Sequence, residues 1–150
     1  MTRFLIVEDH PLFREALESA VCLANPEAEI FQATSIDGAI EVLSSTHPLD
    51  LVLLDLSMPG TTGLSGVMRV RKAFPKIPVV IVSGYEDVQI VQNVLALGVS
   101  GYIPKSTSRR EIADAIGEVA GDDLTSRALP GRRDHATARN RQSRTVKAPS

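Results

Sequence analysis

The chain of 150 residues holds a single cysteine, Cys22, which excludes an intramolecular disulfide framework. It also lacks any apolar run of membrane-spanning length. The opening MTRFLIVEDH has a run of four apolar residues, FLIV, before two carboxylates break it, too short for a signal peptide or a span. A cytoplasmic location with no membrane partner is the expectation. Charge of one sign is missing too: the net formal charge of -2 marks neither a nucleic-acid binder nor a membrane-surface protein. His10 and His47 have no partners at metal-ligand spacing, so both read as structural or surface histidines, although His10 sits beside an acidic pair. Cys22, inside the apolar stretch AVCLA, reads as a buried small hydrophobe.

What is present is ordinary for one soluble domain: 43% hydrophobic and 23% charged residues on a length that can bury a real core. The charge is unevenly spread. Residues 1–121 carry 9 Lys/Arg and 15 Asp/Glu, a balance of -6, and residues 122–150 carry 7 and 3, a balance of +4. After Leu129 one large aliphatic residue remains, Val146. A segment so poor in apolar surface cannot offset its ordering entropy. The reading is a folded domain over 1–121, a linker-like segment over 122–129 and a basic, disordered tail over 130–150.

Within the domain two patterns alternate. Short apolar runs fall at 4–7, 30–33 (the weakest), 51–54, 79–82 and 101–103, and stretches of helical spacing lie over 12–24, 36–45, 64–74, 86–97 and 108–120. Pro11 suits an early helix position, Ser35 suits an N-cap, Pro75 and Pro78 close the third helix and Gly98 suits a C-cap. Ser108 and Glu111 have capping-box spacing. The runs LVLL and VVIV are apolar throughout, as in strands covered by helices on both faces. Five such strand–helix units make a three-layer α/β sandwich with a parallel sheet. Periodicity leaves the strand order open.

Four of the five strands end in chemistry: Glu8 and Asp9 after the first, Asp55 after the third, Ser83 after the fourth, Lys105 after the fifth. Beyond the carboxyl ends of an open α/β sheet such groups converge on one crevice. Any one of them alone reads as a turn former or helix cap; the joint set does not. Three gathered carboxylates repel one another unless a cation joins them, and oxygen-only ligands suit Mg²⁺. A lysine and a hydroxyl opposite would neutralise phosphoryl oxygens. The assembly therefore favours phosphoryl transfer to a carboxylate, without saying which acid is attacked.

The stretches LIVEDHPLFREAL (5–17), LVLLDLSMPGTTGL (51–64), VVIVSG (79–84) and GYIPKS (101–106) resemble the receiver domain of bacterial two-component response regulators. The resemblance implies a flavodoxin-like sandwich with a five-stranded parallel sheet in order 2-1-3-4-5 and five helices. It implies Asp55 as phospho-acceptor, Glu8, Asp9 and Asp55 as Mg²⁺ ligands together with the backbone carbonyl of Ser57, and Lys105 as the grip on a phosphoryl oxygen. It further implies Ser83 as a switch hydroxyl and Tyr102 as an aromatic switch that turns inward after phosphorylation. On its own, Tyr102 would read as half-buried packing with a hydrogen-bonded hydroxyl. The implied partner is a sensor histidine kinase or phosphotransfer protein, and a homodimer is plausible.

EDHPLFREAL and GYIPKSTSRREIADAI look most like the class that carries a LuxR-type DNA-binding domain, and GDDLTSRAL (121–129) resembles the linker of that class. A helix-turn-helix domain is not legible after it, so direct nucleic-acid binding is not expected, and the basic tail has no aromatic residue for base stacking. The expected function is a Mg²⁺-dependent phospho-acceptor switch without its output domain. The alternative is a phosphorylation-independent interaction module on the same fold. A small Mg²⁺-dependent phosphatase would need a general acid near the nucleophile, where position 57 offers a serine.

Overall fold

The computed structural model describes the backbone of residues 2–46, 48–56, 64–84, 88–128 and 146–147, with side chains up to residue 120. The elements run β1 (Arg3–Val7), α1 (Pro11–Ala24), β2 (Glu29–Ala33), α2 (Ile36–Ser45), β3 (Leu51–Asp55), α3 (Leu64–Ala73), β4 (Val79–Ser83), α4 (Val88–Ala96), β5 (Gly101–Pro104), α5 (Arg109–Ala128) and β6 (Val146–Lys147). The five parallel strands stand in the order 2-1-3-4-5, and β6 adds a short antiparallel edge beside β5. This edge strand lies within the segment expected to be disordered.

The pleat sorts the apolar runs into two cores. Phe4, Ile6, Leu51, Leu53, Val80, Val82 and Ile103 face α1 and α5. Leu5, Val7, Val52, Leu54, Val79, Ile81 and Tyr102 face α2, α3 and α4. Every residue of β3 and β4 is buried, which is why neither strand alternates in sequence. The edge strand β2 is buried only at Ala33, hence its weak signal.

Local chemistry sets the ends. Pro11 opens α1, where its missing N–H costs nothing. The Ser35 hydroxyl accepts from the Gly38 amide at 3.0 Å. Ser108 Oγ accepts from the Glu111 amide at 3.2 Å and donates to Glu111 Oε1 at 3.0 Å. α5 continues through the stretch expected to be a linker; no proline interrupts it before Pro130. Cys22 is exposed, contrary to expectation. Leu17, Ala20 and Val21 form the inward stripe of α1, and the residue after Val21 lies about 100° round the helix, facing out.

Gly98 closes α4 with φ +84°, and a Cβ there would meet Arg71 Nη2 at 3.2 Å. Arg71 cannot easily retreat, since its Nη1 donates to the Pro75 carbonyl at 3.0 Å. Gly98→Ala is expected to lower stability by about 1–2 kcal/mol, read as a lower urea midpoint with unchanged slope.

Candidate functional site

The carboxyl edge of the sheet is fixed by backbone bonds that run past the strands. Glu8 N donates to the Ala33 carbonyl at 3.0 Å, Leu56 N to Val82 at 3.0 Å, and Lys105 N to Ser83 at 2.7 Å. Glu8 and Asp9 thus leave β1 beside Asp55 at the end of β3, with Ser83 and Lys105 on the neighbouring strand ends. One oxygen from each of Glu8, Asp9 and Asp55 can be chosen so that all three lie within 4.8 Å of one another. Glu8, Asp55 and Ser83 are buried, and Asp9 is the most accessible of the acids.

Lys105 spans the two buried acids. Its Nζ lies 3.3 Å from Asp55 Oδ2 and 3.2 Å from Glu8 Oε1. The first contact is an aligned hydrogen bond; the second is an ion pair that leaves Glu8 Oε1 without a hydrogen-bond partner. Glu8 Oε2 accepts from the His10 amide at 3.1 Å. Burial pushes the Glu8 carboxyl up to about 7 from an ordinary 4.5, with the hydrogen bond that protonated Glu8 donates to Asp55 and charge repulsion from Asp55 adding to the rise. The His10 amide and the Lys105 charge pull the other way.

The donor set suits a hard divalent cation. All three side chains offer oxygen, and the buried Glu8 Oε1 has no aligned donor. A cation there would hold Glu8 ionised and remove the repulsion that raises its pKa. Glu8, Asp9, Asp55, Ser83 and Lys105 all lie at this edge. Ser57 lies outside the described residues. Tyr102 is 1% exposed and packed in the core facing α4, so the inward position expected after phosphorylation is already occupied.

Two residues at the site were not anticipated. Arg14 Nη1 donates to the Glu8 carbonyl at 3.2 Å, and the Phe13 ring lies under the Lys105 ammonium at 4.8 Å to its centroid. The signal for both was Pro11: a helix that starts there puts residues 13 and 14 in its first turn, against the end of β1.

Comparison with known proteins gives a consistent picture. The sequence model of the family described as "Response regulator receiver domain" matches residues 4–117. The chain is 38% identical over 143 residues to a protein named glycerol metabolism activator from Pseudomonas putida, covering 95% of this chain and 65% of that protein. Among solved structures, the signal receiver domain of the putative response regulator NarL from Mycobacterium tuberculosis is 30% identical with TM-score 0.70, covering 80% of this chain and 96% of that one. A LuxR family DNA-binding response regulator from Silicibacter pomeroyi is 26% identical with TM-score 0.70, covering 81% and 93% of the two chains. The chain spans 50% to 65% of the length of curated relatives such as these.

Proposed function

Because the chain belongs to the response regulator receiver domain family, we propose that it is a Mg²⁺-dependent phospho-acceptor switch charged on Asp55. The carrying observation is the placement of Lys105 Nζ against the cluster of three carboxylates, 3.3 Å from Asp55 Oδ2. An Asp55 oxygen attacks the phosphorus of a phosphohistidine on a sensor kinase or phosphotransfer protein. The new P–O bond forms as the donor's P–N bond breaks, and the donor imidazole keeps the bond's electron pair and takes up a proton.

Glu8, Asp9 and Asp55, with the Ser57 carbonyl, would hold Mg²⁺. When bound, the ion neutralises charge on the transferring phosphoryl group. Lys105 turns from Glu8 and Asp55 toward a phosphoryl oxygen, and the Ser83 hydroxyl donates to another. Tyr102 is inside already, so the phosphorylated state gains by holding that position rather than creating it. The altered surface would lie at α4, β5 and α5.

The test follows intact mass after incubation with acetyl phosphate. One phosphoryl group should be gained with Mg²⁺ and none with a chelator, and Asp55→Asn should gain none. A folded parent that gains nothing under any condition would favour the phosphorylation-independent module.

A further inference from the structure

We propose that Phe13 is a positioning residue for Lys105, holding its ammonium in reach of the acids through the face of the ring; the catalytic half of this proposal rests on the phosphoryl-transfer reading above. Lys105 Nζ lies 3.2 Å from Glu8 Oε1, 3.3 Å from Asp55 Oδ2 and 4.8 Å from the Phe13 ring centroid. The ring distance lies within the roughly 6 Å over which a cation is attracted to an aromatic face. Phe13 is itself anchored, half-buried against the core between the sheet and α1 and α5. Its place is also fixed in sequence, because α1 begins at Pro11.

The choice of an aromatic at this position has a chemical consequence. A further carboxylate in its place would attract the ammonium more strongly, but it would occupy an N–H and hold the lysine back. The ring attracts the charge without accepting a directed hydrogen bond. It also covers part of a lysine side chain that is 25% exposed. The N–H bonded to Asp55 and the ion pair with Glu8 are kept, and the ammonium remains free to turn to phosphoryl oxygens. A leucine fills comparable apolar space but supplies no such field, so the ammonium hydrates and spreads over more positions.

The experiment uses the full chain in two readouts. In the metal-free, unphosphorylated protein, the ring current of Phe13 should shift the ε-methylene resonances of Lys105. Phe13→Leu should return them toward ordinary lysine values, and Phe13→Tyr should keep them shifted. In single-turnover phosphorylation by acetyl phosphate with Mg²⁺, Phe13→Leu should slow the reaction by about three- to tenfold, with Phe13→Tyr near the parent. The same Phe13→Leu change should add little once Lys105 is replaced by Met. Unmoved lysine resonances in Phe13→Leu would overturn the proposal. So would an equal slowing by Phe13→Leu with and without Lys105, because the ring would then act elsewhere. If the parent accepts no phosphoryl group, the phosphoryl-transfer reading fails, while the resonance measurement still decides whether Phe13 holds the lysine.

Discussion

In metal-free buffer at pH 8, Glu8→Gln is expected to be more stable than the parent by roughly 2–3 kcal/mol. Glu8 is fully buried, and its carboxyl is raised from 4.5 to about 7 by burial first and by Asp55 second. A raised folded-state pKa means that the native protein holds its proton more tightly than the unfolded chain. The resulting stability is complete below pH 4.5, declines as the pH rises and is gone above about 7. Glutamine keeps the neutral shape at every pH. The parent and variant should therefore agree near pH 4 and diverge toward pH 8 in chelator-containing urea titrations. Mg²⁺ should close the gap by stabilising the parent, and more strongly at pH 8 than at pH 6, because proton and cation compete for Glu8. Parallel pH profiles for the two proteins would show that Glu8 is not held protonated by its surroundings.

Leu53→Ala is expected to cost about 2–5 kcal/mol, the range for truncating a fully buried leucine in a core that cannot collapse. Leu53 is 0% exposed, sits in the central strand β3, and is paired with Ile6 of β1 and Val80 of β4. Alternation along the strand puts it on the same side as Asp55, toward α1 and α5. A void there loosens the ground beneath the site as well as the fold. Leu53→Met, which nearly conserves volume, should cost under about 1.5 kcal/mol. Urea midpoints measured with an unchanged slope separate the two. Equal losses for Ala and Met would mean that packing volume does not govern this position.

The fold was legible wherever burial left a periodic trace. The continuous apolar runs at 51–54 and 79–82 are the fully buried strands β3 and β4, extended by Asp55 and Ser83, which are buried but polar and so ended the apolar pattern early. The α2 bounds were read correctly because Ser35 caps that helix through a bond to Gly38. α5 was read too short, since the sequence after Ala120 loses its apolar stripe while containing nothing that forbids a helix before Pro130. The position of Cys22 turned on a rotation of about 100°, which a short apolar stretch does not reveal.

The candidate site was legible because strand ends converge, a topological fact that needs no side-chain detail. Its fine structure was not. That Lys105 divides itself between Glu8 and Asp55, and that Phe13 flanks it, depends on how α1 lies on the sheet. Tyr102 shows the same limit: its strand was evident, but which core it enters follows from the pleat of β5.

The most direct test of the central claim is to locate the phosphoryl group itself. The protein phosphorylated by acetyl phosphate with Mg²⁺ would be treated with borohydride, which reduces an aspartyl phosphate to homoserine, and the converted residue mapped by peptide mass spectrometry. The account predicts conversion at Asp55 and at no other carboxylate. Conversion at Glu8 or Asp9, or a stable phosphoryl group on a residue that borohydride leaves unchanged, would contradict it.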